Sequence, residues 1–347
     1  MSVFKFLLLP LAMLYDVVTS IRNSLYDRQL KPSARFDFPI IGIGNLAVGG
    51  TGKTPMVEHL IRLLSSRVKV ATLSRGYGRK SSGLRFAGKQ DTPATIGDEP
   101  MQLFSKYGNQ IVVTVCEDRA FAIPHILQEH PEVGVIVLDD ALQHRRVTPG
   151  FMILLTDYHR PFYADHVLPY GRLREGREGA LRANVIIVTK CPHDISEEQM
   201  MIMENAIHTV AHRPVFFSTI RYGEPVPAAD AGTFIPDVVL VSGIANPMVL
   251  ENYVVKNFTL LHHFRFRDHH NYSTAELRKI VNFISKQTKP VSVLTTEKDV
   301  VKLIANNNRF WAGKLNLFYL PIEMEIIRNG KDFDTLVLDY LKRATPQ

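Results

Sequence analysis

The stretch that decides the fold of this chain is Gly49-Gly50-Thr51-Gly52-Lys53-Thr54-Pro55. It follows a short apolar run at residues 40–43, and an amphipathic helical pattern starts directly after it, at residues 55–64. A phosphate-binding loop requires this strand–loop–helix context. Glycines let backbone N–H groups approach phosphate oxygens closely, and the N-terminal end of a helix adds a positive dipole. The alternative is a chance glycine-rich turn, which the flanking elements disfavour.

Two side chains of this loop have expected roles. The ammonium group of Lys53 would reach the β- and γ-phosphates of a nucleotide, and the hydroxyl of Thr54 would bind Mg²⁺. The strict pattern GxxxxGK[ST] has a glycine where Ala47 stands. Because Gly49 and Gly50 lie inside the loop instead, we expect its first bend to differ from the usual one.

A pair of adjacent aspartates completes the expected nucleotide site. A buried apolar run leads directly into Asp139 and Asp140. Adjacent side chains on an extended chain point to opposite sides, so one of the two reaches the metal. We assign Asp139 to Mg²⁺, directly or through water, and Asp140 to orienting Lys53 or a loop amide. An N-cap, or a salt bridge to Arg145 or Arg146, is the alternative.

Short apolar runs recur along the chain, with helical stretches between several of them. Continuous apolar strands that alternate with helices indicate a largely parallel sheet covered on both faces. We therefore predict an α/β fold, a P-loop NTPase-like, mostly parallel sheet with helices on both faces. The runs lie at residues 40–43, 68–73, 111–115, 133–138, 152–155, 185–188 and 215–219.

The length and a change of composition predict two domains. A chain of 347 residues suggests roughly two domains. A Pro- and Gly-rich connection at residues 223–232 precedes a second series of apolar runs. We predict an N-terminal membrane-associating helix at 1–30, a phosphate-loop core at 31–223 and a smaller C-terminal α/β domain at 224–347. The second series lies at residues 238–242, 258–262, 291–295 and 317–320.

The N-terminal segment, residues 3–18, is mostly apolar and is interrupted by Pro10. A bilayer span needs ~20 apolar residues, so this segment is too short to cross. No small-residue cleavage site follows it closely, which disfavours a signal peptide. The helical period continues with basic residues to Arg28, so the segment can lie in a membrane interface. A helix docked on the core is the alternative.

Charge and cysteine content narrow the class of protein. The chain has 41 Lys and Arg against 34 Asp and Glu, a net charge of +7, which favours anionic partners. It has no compact basic stripe interleaved with aromatic residues, so we expect no nucleic-acid partner. Cys116 and Cys191 lie outside any metal-binding spacing. We interpret both as structural thiols in a reducing compartment.

Three further motifs carry chemistry. Gly97-Asp98-Glu99-Pro100 offers paired carboxylates for a general base and a metal ligand, or is an ordinary helix start. Ser74-Arg75-Gly76-Tyr77-Gly78-Arg79-Lys80 leaves a strand end and suits an anionic, partly apolar substrate. Asp268-His269-His270 is open to three interpretations, namely a metal site, a proton-relay histidine beside an aspartate, and a surface turn.

Together the motifs resemble those of the tetraacyldisaccharide 4'-kinase family. Besides the stretches quoted above, the resemblance rests on Gln143-His144-Arg145, Leu168-Pro169, Gly171-Arg172-Leu173-Arg174-Glu175 and Thr296-Glu297-Lys298-Asp299. Members transfer the γ-phosphoryl group of ATP to the 4'-hydroxyl of the lipid A disaccharide precursor. They act at the cytoplasmic face of the bacterial inner membrane, and a membrane-associated N-terminal helix is part of the pattern. The resemblance therefore implies ATP and Mg²⁺ as cofactors, and an acylated disaccharide phosphate lipid and the inner-membrane surface as partners.

Residue roles follow from the same resemblance. It implies that Asp98 is the base for the sugar hydroxyl, assisted by a histidine, for which we favour His269 over His270. Glu99 and Asp139 become Mg²⁺ ligands along with Thr54. The nucleotide phosphates are assigned to Ala47, Val48, Gly49, Gly50, Thr51, Gly52, Lys53 and Thr54, and the disaccharide and its 1-phosphate to Arg75, Tyr77, Arg172 and Arg174.

Two further expectations follow from these motifs. The sequence puts Asp98 in the first predicted domain and His269 in the second, so we expect the pair to meet at the domain boundary. Ala141-Leu142 stands where the family pattern has Gly-Phe, which changes the side chains beside the metal. The rival function is a P-loop nucleotide-dependent switch or membrane ATPase that acts on a protein partner.

Overall fold

The computed structural model describes residues 8–228, 231–305 and 308–344. The first residues of the apolar N-terminal run, 1–7, lie outside this range. The strands are β1 (Ile40–Asn45), β2 (Lys69–Ser74), β3 (Arg85–Phe86), β4 (Val112–Val115), β5 (Val133–Leu138), β6 (Phe151–Asp157), β7 (Val185–Thr189), β8 (Val215–Tyr222), β9 (Val226–Pro227), β10 (Asp237–Ser242), β11 (Thr259–Arg265), β12 (Ser292–Thr296), β13 (Leu317–Leu320) and β14 (Ile322–Arg328).

The helices alternate with these strands over most of the chain. They are α1 (Leu9–Asp27), α2 (Lys53–Leu64), α3 (Pro93–Ile96), α4 (Asp98–Tyr107), α5 (Arg119–Glu129), α6 (Glu197–His208), α7 (Pro247–Asn257), α8 (Thr274–Ile284), α9 (Glu297–Leu303), α10 (Arg309–Ala312) and α11 (Gly330–Ala344). Each apolar run quoted above overlaps one of the strands. The predicted mixed α/β fold with a large, mostly parallel sheet is confirmed.

The chain divides into two compact units. Unit 1 comprises residues 1–75, 109–221 and 324–347, and unit 2 comprises residues 76–108 and 222–323. The units are therefore interleaved along the chain, and the contiguous ranges expected from the sequence, 31–223 and 224–347, do not coincide with them. Contacts between residues far apart in sequence set these limits. A change of composition along the chain does not reveal such contacts.

The sheet of unit 1 carries β1 in its interior. The strand order is β14-β8-β7-β6-β1-β5-β2-β4, and β1 pairs in parallel with both β5 and β6. All six residues of β1 are buried, as a strand covered on both faces requires. The loop at the carboxyl end of β1 is therefore at the edge where α/β sheets place their ligands.

The C-terminal helix α11 belongs to unit 1 and explains why the last residues return there. Its Phe333 is fully buried and packs against Phe216 of β8, with ring centroids 5.4 Å apart. The hydroxyl of Tyr340 accepts a hydrogen bond from the N–H of Ile40 at 3.0 Å and lies 3.1 Å from its carbonyl. This helix thus fixes the start of β1.

Unit 2 is built on a five-stranded sheet in the order β11-β10-β12-β13-β9, parallel except for β9. Alternate residues of its strands enter two different apolar cores. Val241 and Val293 belong to one core, whereas Leu240 and Leu294 belong to the other. Because successive side chains of a strand point to opposite faces, this sheet is covered on both faces.

Residues 76–108 join unit 2 through the pairing of helices α4 and α9. The ammonium group of Lys106 lies 2.7 Å from the carboxylate of Glu297. Met101 of α4 packs against the core that contains Val241. This segment carries Asp98, so the predicted base lies in unit 2.

Candidate active site

The glycine-rich loop begins where β1 ends, and α2 begins at Lys53. Gly52 has φ +85°, a conformation that L side chains rarely adopt, so a glycine is needed immediately before the helix. At Gly49 and Gly50 an added Cβ would meet nothing within 4 Å. Within the described part of the chain, the N–H groups of residues 49–53 donate to no protein acceptor. These groups are available for phosphate oxygens.

Two residues at the end of β7 hold the loop carbonyls. Thr189 donates its hydroxyl to the carbonyl of Thr51 at 2.9 Å. Lys190 donates to the carbonyl of Gly50 and forms an ion pair with Asp157 at 2.7 Å. Because the carbonyls are used in this way, the loop is held from one side while its N–H groups stay unpaired.

Lys53 is held by two oxygen atoms from different elements. Its ammonium group donates to the side-chain oxygen of Asn45 at 3.2 Å and lies 3.4 Å from a carboxylate oxygen of Asp140. The expected contact between Asp140 and Lys53 is therefore present. Arg145 and Arg146, the partners of the alternative salt bridges, form ion pairs with Asp27 and Asp118 respectively.

Arg174 completes this cluster. Its guanidinium binds both carboxylate oxygens of Asp140, each at 2.9 Å, and donates to the side-chain oxygen of Asn45 at 2.6 Å. The sequence assigned Arg174 to the lipid substrate, whereas its side chain here contacts the residues that hold Lys53. Burial raises the pKa of Asp140, but the hydrogen bonds from Arg174 and the charge of Lys53 outweigh it and lower the pKa. Asp140 is thus ionised at neutral pH.

The segment around Arg172 runs beside the loop. Val48 donates its N–H to the carbonyl of Arg172 at 2.8 Å, and Arg174 donates its N–H to the carbonyl of Leu46 at 2.7 Å. Ala47 and Leu173 form the antiparallel bridge between these two contacts. Residues 172–174 therefore fix the start of the nucleotide loop, which the sequence analysis did not anticipate.

Asp139 lies where the metal-side acid was expected, directly after β5. Its carboxylate accepts the N–H of Asp140 at 2.9 Å. The buried guanidinium of Arg119 donates to the backbone carbonyls of both aspartates. Sequence reasoning missed Arg119, whose signal is an arginine at the first position of a helix with Asp118 as N-cap.

The oxygen donors of unit 1 suit Mg²⁺. A hydroxyl from Thr54 and a carboxylate from Asp139 are hard ligands, and Mg²⁺ is usually bound by few protein groups together with phosphate oxygens and water. The described residues contain no group of three or more His, Cys, Asp or Glu that could hold a metal alone. Glu99, the third expected ligand, belongs to unit 2, where its carboxylate lies 3.3 Å from Lys298.

Positive charge is concentrated near the carboxyl ends of these strands. Burial and the neighbouring charges of Arg119, Arg146 and Arg75 together lower the pKa of His144 to about 4. Arg75 is exposed at the end of β2. Arginines grouped at this edge of the sheet suit an anionic ligand.

In unit 2, Asp98 and His269 are in contact. Asp98 is the first residue of α4 and is buried, and its Oδ2 atom lies 3.2 Å from Nδ1 of His269. The expectation that this pair spans the domain boundary is wrong, because both residues belong to unit 2. Gly97 has φ +95°, and an added Cβ would lie 3.1 Å from the carbonyl of Tyr77, so a glycine is needed before Asp98.

Lys302, which the sequence analysis missed, makes a second contact with Asp98. Its ammonium group, buried with the side chain only 4% exposed, lies 3.3 Å from the same Oδ2 atom and 3.2 Å from Asp299. Burial raises the pKa of Asp98, but the hydrogen bond from His269 and the charge of Lys302 lower it below the ordinary value. Asp98 is therefore a carboxylate at neutral pH. Within the described residues its Oδ1 atom makes no hydrogen bond.

The contacts of His269 fix its orientation. An ionised carboxylate only accepts hydrogen bonds, so Nδ1 of His269 donates to Asp98. The ammonium group of Lys298 lies 3.1 Å from Nε2, and a carboxylate oxygen of Glu99 lies 3.8 Å from the same atom. His269 therefore orients Asp98. Tyr77, 70% exposed, packs edge-on against its ring at 5.2 Å.

The neighbouring histidines are held differently. His270 lies 3.1 Å from Glu276 and stacks on Phe266. His263 pairs with Glu251 at 2.6 Å. Neither contacts Asp98, and no metal-binding cluster forms among the described residues.

The motif Thr296-Glu297-Lys298-Asp299 acquires a structural role. The Thr296 hydroxyl accepts the N–H of Asp299 and caps α9. The helix places Lys298 and Lys302 four residues apart, so both lie on one face. They contact Glu99 and Asp98 respectively.

Comparison with known proteins identifies the family of the chain. The model of the family described as tetraacyldisaccharide-1-P 4'-kinase, LpxK, matches residues 4–342. The chain belongs to this family. The tetraacyldisaccharide 4'-kinase of Flavobacterium johnsoniae is 39% identical, with 99% of this chain and 98% of the relative covered. That of Bacteroides thetaiotaomicron is 40% identical, with 97% and 93% covered.

A solved structure of the family has the same fold. The crystal structure of LpxK from Aquifex aeolicus in complex with ATP matches with a TM-score of 0.75 at 25% identity. It covers 97% of this chain and 99% of its own. Family members thus share the fold that positions the loop at the end of β1.

Proposed function

We propose that this chain transfers the γ-phosphoryl group of ATP to the 4'-hydroxyl of a tetraacyldisaccharide 1-phosphate. The observation that carries the proposal is the ionised Asp98, oriented by His269, in a chain that also folds a phosphate-binding loop around Lys53. A nucleotide switch needs the loop but has no use for a base that accepts a proton from an alcohol. Membership of the tetraacyldisaccharide 4'-kinase family supports the acceptor.

Unit 1 binds ATP in this proposal. The unpaired N–H groups of residues 49–53 donate to the phosphates, and Lys53 neutralises charge on the transferring group. Asp140 and Arg174 hold Lys53 and Asn45 in place beforehand. Preorganised positive charge stabilises a transition state because no reorganisation is needed during the reaction.

Thr54 and Asp139 would hold the magnesium ion. When bound, Mg²⁺ would neutralise negative charge on the phosphate oxygens and on the leaving group. Arg119 fixes the backbone of Asp139 through the carbonyl of that residue, which keeps its carboxylate at the end of β5. Glu99 is proposed as a third ligand, and its carboxylate lies 3.3 Å from the ammonium group of Lys298 in this structure.

Unit 2 supplies the base. The acceptor oxygen forms a bond to the γ-phosphorus while the bond from that phosphorus to the β–γ bridging oxygen breaks, and ADP leaves. The hydroxyl proton passes to Oδ1 of Asp98, the oxygen that His269 and Lys302 leave free. Tyr77 and Arg75 are proposed to contact the disaccharide and its 1-phosphate, and both are exposed. Arg172, exposed beside the nucleotide loop, has the same proposed role.

Helix α1 is proposed to place the enzyme on the cytoplasmic face of the bacterial inner membrane. None of the helices in the described part of the chain combines the length and hydropathy that spanning a bilayer requires. One side of α1 contacts unit 1, and other positions expose large apolar side chains, as in interfacial helices. These are Leu9, Leu11, Met13, Leu14, Val17, Val18 and Ile21, with Leu9 the least exposed at 38%.

The direct test is transfer of labelled γ-phosphate from ATP to a tetraacyldisaccharide 1-phosphate in detergent. We expect a Mg²⁺-dependent labelled lipid with the wild-type protein and none with Lys53→Ala. Hydrolysis of ATP without a labelled lipid would contradict the kinase and favour the nucleotide switch. The matched control is Lys31→Ala, which removes a lysine on the exposed connection after α1.

A further inference from the structure

Three polar side chains of helix α1 make hydrogen bonds to the segments that carry the nucleotide site. Tyr15 donates its hydroxyl to the carbonyl of Arg174 at 2.9 Å, and Arg22 donates to the carbonyl of Gln143 at 2.7 Å. Asn23 donates its side-chain amide to Oε2 of Glu175 at 2.5 Å. The contact surface of α1 is therefore specific and polar.

Glu175 is a buried carboxylate with only 1% of the residue exposed. Its Oε1 atom accepts from the side-chain amide of Gln143 at 2.8 Å and from Arg182 at 2.7 Å. A buried carboxylate that loses a hydrogen-bond donor still bears the free-energy cost of its desolvation, and the lost hydrogen bond no longer offsets that cost. Removal of Asn23 would therefore disturb the remaining contacts of Glu175.

The same amide nitrogen of Gln143 continues the chain of contacts toward the phosphate loop. It also donates to the backbone carbonyl of Asn45 at 3.0 Å. The side-chain oxygen of Asn45 accepts from the ammonium group of Lys53 at 3.2 Å. An unbroken series of hydrogen bonds thus leads from Asn23 through Glu175 to the lysine of the loop.

We propose that Asn23 and Glu175 are positioning residues for Lys53, so that docking of helix α1 tightens the binding of ATP. The proposal rests on the proposed function, because ATP is the ligand that Lys53 meets. Coupling between two sites is reciprocal, so bound ATP also stabilises the docked helix. The membrane-facing helix is on this account part of the nucleotide site.

The first measurement is the dissociation constant of MgATP for the full-length protein and for Asn23→Ala, by calorimetric titration. Loss of one hydrogen bond to a buried carboxylate predicts about threefold to thirtyfold weaker binding. The matched control is Asp27→Asn, which removes an exposed contact of the same helix with Arg145. That pair lies outside the series that reaches Lys53, so we expect an unchanged constant.

A double-mutant cycle separates positioning from a general structural role. If Asn23 acts through Lys53, the change Asn23→Ala weakens ATP binding no further in a Lys53→Ala background. Additive losses would overturn the proposal. Glu175→Gln serves as a second variant, with the same expected weakening, and thermal melting identifies any variant that fails to fold.

Hydrogen exchange of the α1 amides provides a readout independent of affinity. MgATP should slow exchange of this helix in the wild type and should not do so in Asn23→Ala. If MgATP binds the wild type but leaves α1 exchange unchanged, the coupling is wrong and the kinase proposal stands. If the wild type binds no MgATP, the proposed function itself fails. If Lys53→Ala binds MgATP as tightly as the wild type, the route through Lys53 is wrong and the kinase proposal stands.

Discussion

Nδ1 of His269 lies 3.2 Å from Oδ2 of Asp98, the oxygen that also faces the ammonium group of Lys302 at 3.3 Å. One carboxylate oxygen thus accepts a hydrogen bond from His269 and faces the charge of Lys302, and the other is left to accept a proton. Oδ2 of Asp98 therefore serves to orient the base, and Oδ1 serves to accept the proton. This arrangement predicts different consequences for changes at Asp98, at His269 and at the histidine next to it.

Asp98→Asn should lower kcat while leaving the binding of MgATP nearly unchanged. The amide keeps the shape of the side chain but is not a base, and a positioned base contributes roughly 10²–10⁴-fold. The measurement is single-turnover transfer to the lipid, paired with calorimetric titration of MgATP. Activity near the wild-type level would show that Asp98 is not the base.

His269→Ala and His270→Ala form a matched pair. We expect the first to lower kcat by about tenfold or more, because the base loses its orienting donor. The second removes a partner of Glu276 at 3.1 Å and should lower the melting temperature with kcat nearly retained. A larger loss of kcat for His270→Ala would reverse the assignment.

The pKa of Asp98 predicts the acid side of the pH profile. Burial raises this pKa, but His269 and Lys302 together lower it below the ordinary value of about 3.9. The base is therefore ionised throughout the range above pH 4, and Asp98 causes no acid limb in kcat/KM there. Lys302→Met removes one positive charge that lowers the pKa of Asp98. The acid limb of kcat/KM should therefore move to higher pH in this variant. An unshifted profile in this variant would contradict the role of Lys302.

The sequence predicts the parts of this molecule that depend on local pattern. The apolar runs that became β1, β5 and β7 are continuous, and the Gly52-Lys53-Thr54 stretch stands between a strand and a helix. The placement of residues 76–108 in unit 2 depends on contacts such as that of Lys106 with Glu297, nearly two hundred positions away. The hydrophobic periodicity of the sequence does not predict such a long-range contact.

Site residues divide in the same way. Lys53 was identified because its motif is local. Lys302 was missed because a buried lysine four residues after Lys298 reads as an ordinary helical position, and only tertiary packing brings it to Asp98. Arg174 was expected at the lipid because an arginine in a loop gives no sign that its guanidinium binds Asp140.

Glu276 makes the free energy of unfolding depend on pH in the acidic range. Burial raises its pKa, but hydrogen bonds from Ser273 and His270 lower it to about 2. A carboxylate with a lowered pKa stabilises the fold above its unfolded pKa, about 4.3, and this contribution is lost as the pH falls toward 2. The side chain is 28% exposed, so we expect an effect of about 1 kcal/mol or less.

The variant Glu276→Gln should therefore melt at a lower temperature than the wild type at pH 7, with the difference shrinking between pH 4 and pH 2. Scanning calorimetry over this range measures it. Glu325→Gln is the control, since Glu325 is an exposed residue of β14. Parallel melting curves for wild type and Glu276→Gln at every pH would contradict the assignment.

Membrane association should depend on the exposed apolar side of α1. Leu14 and Val18, 62% and 57% exposed, lie four residues apart and therefore on one side of the helix. Changing both to serine removes apolar area that would enter the acyl boundary, which is worth roughly 1.5–3 kcal/mol per fully buried side chain. We expect cosedimentation with anionic phospholipid vesicles to fall by about tenfold or more, while MgATP binding in solution stays intact because neither side chain belongs to the contacts of Asn23.

Ser20→Ala, an exposed position of the same helix, controls for a general effect on α1. Undiminished vesicle binding by the double variant would favour the docked helix as the sole role of α1.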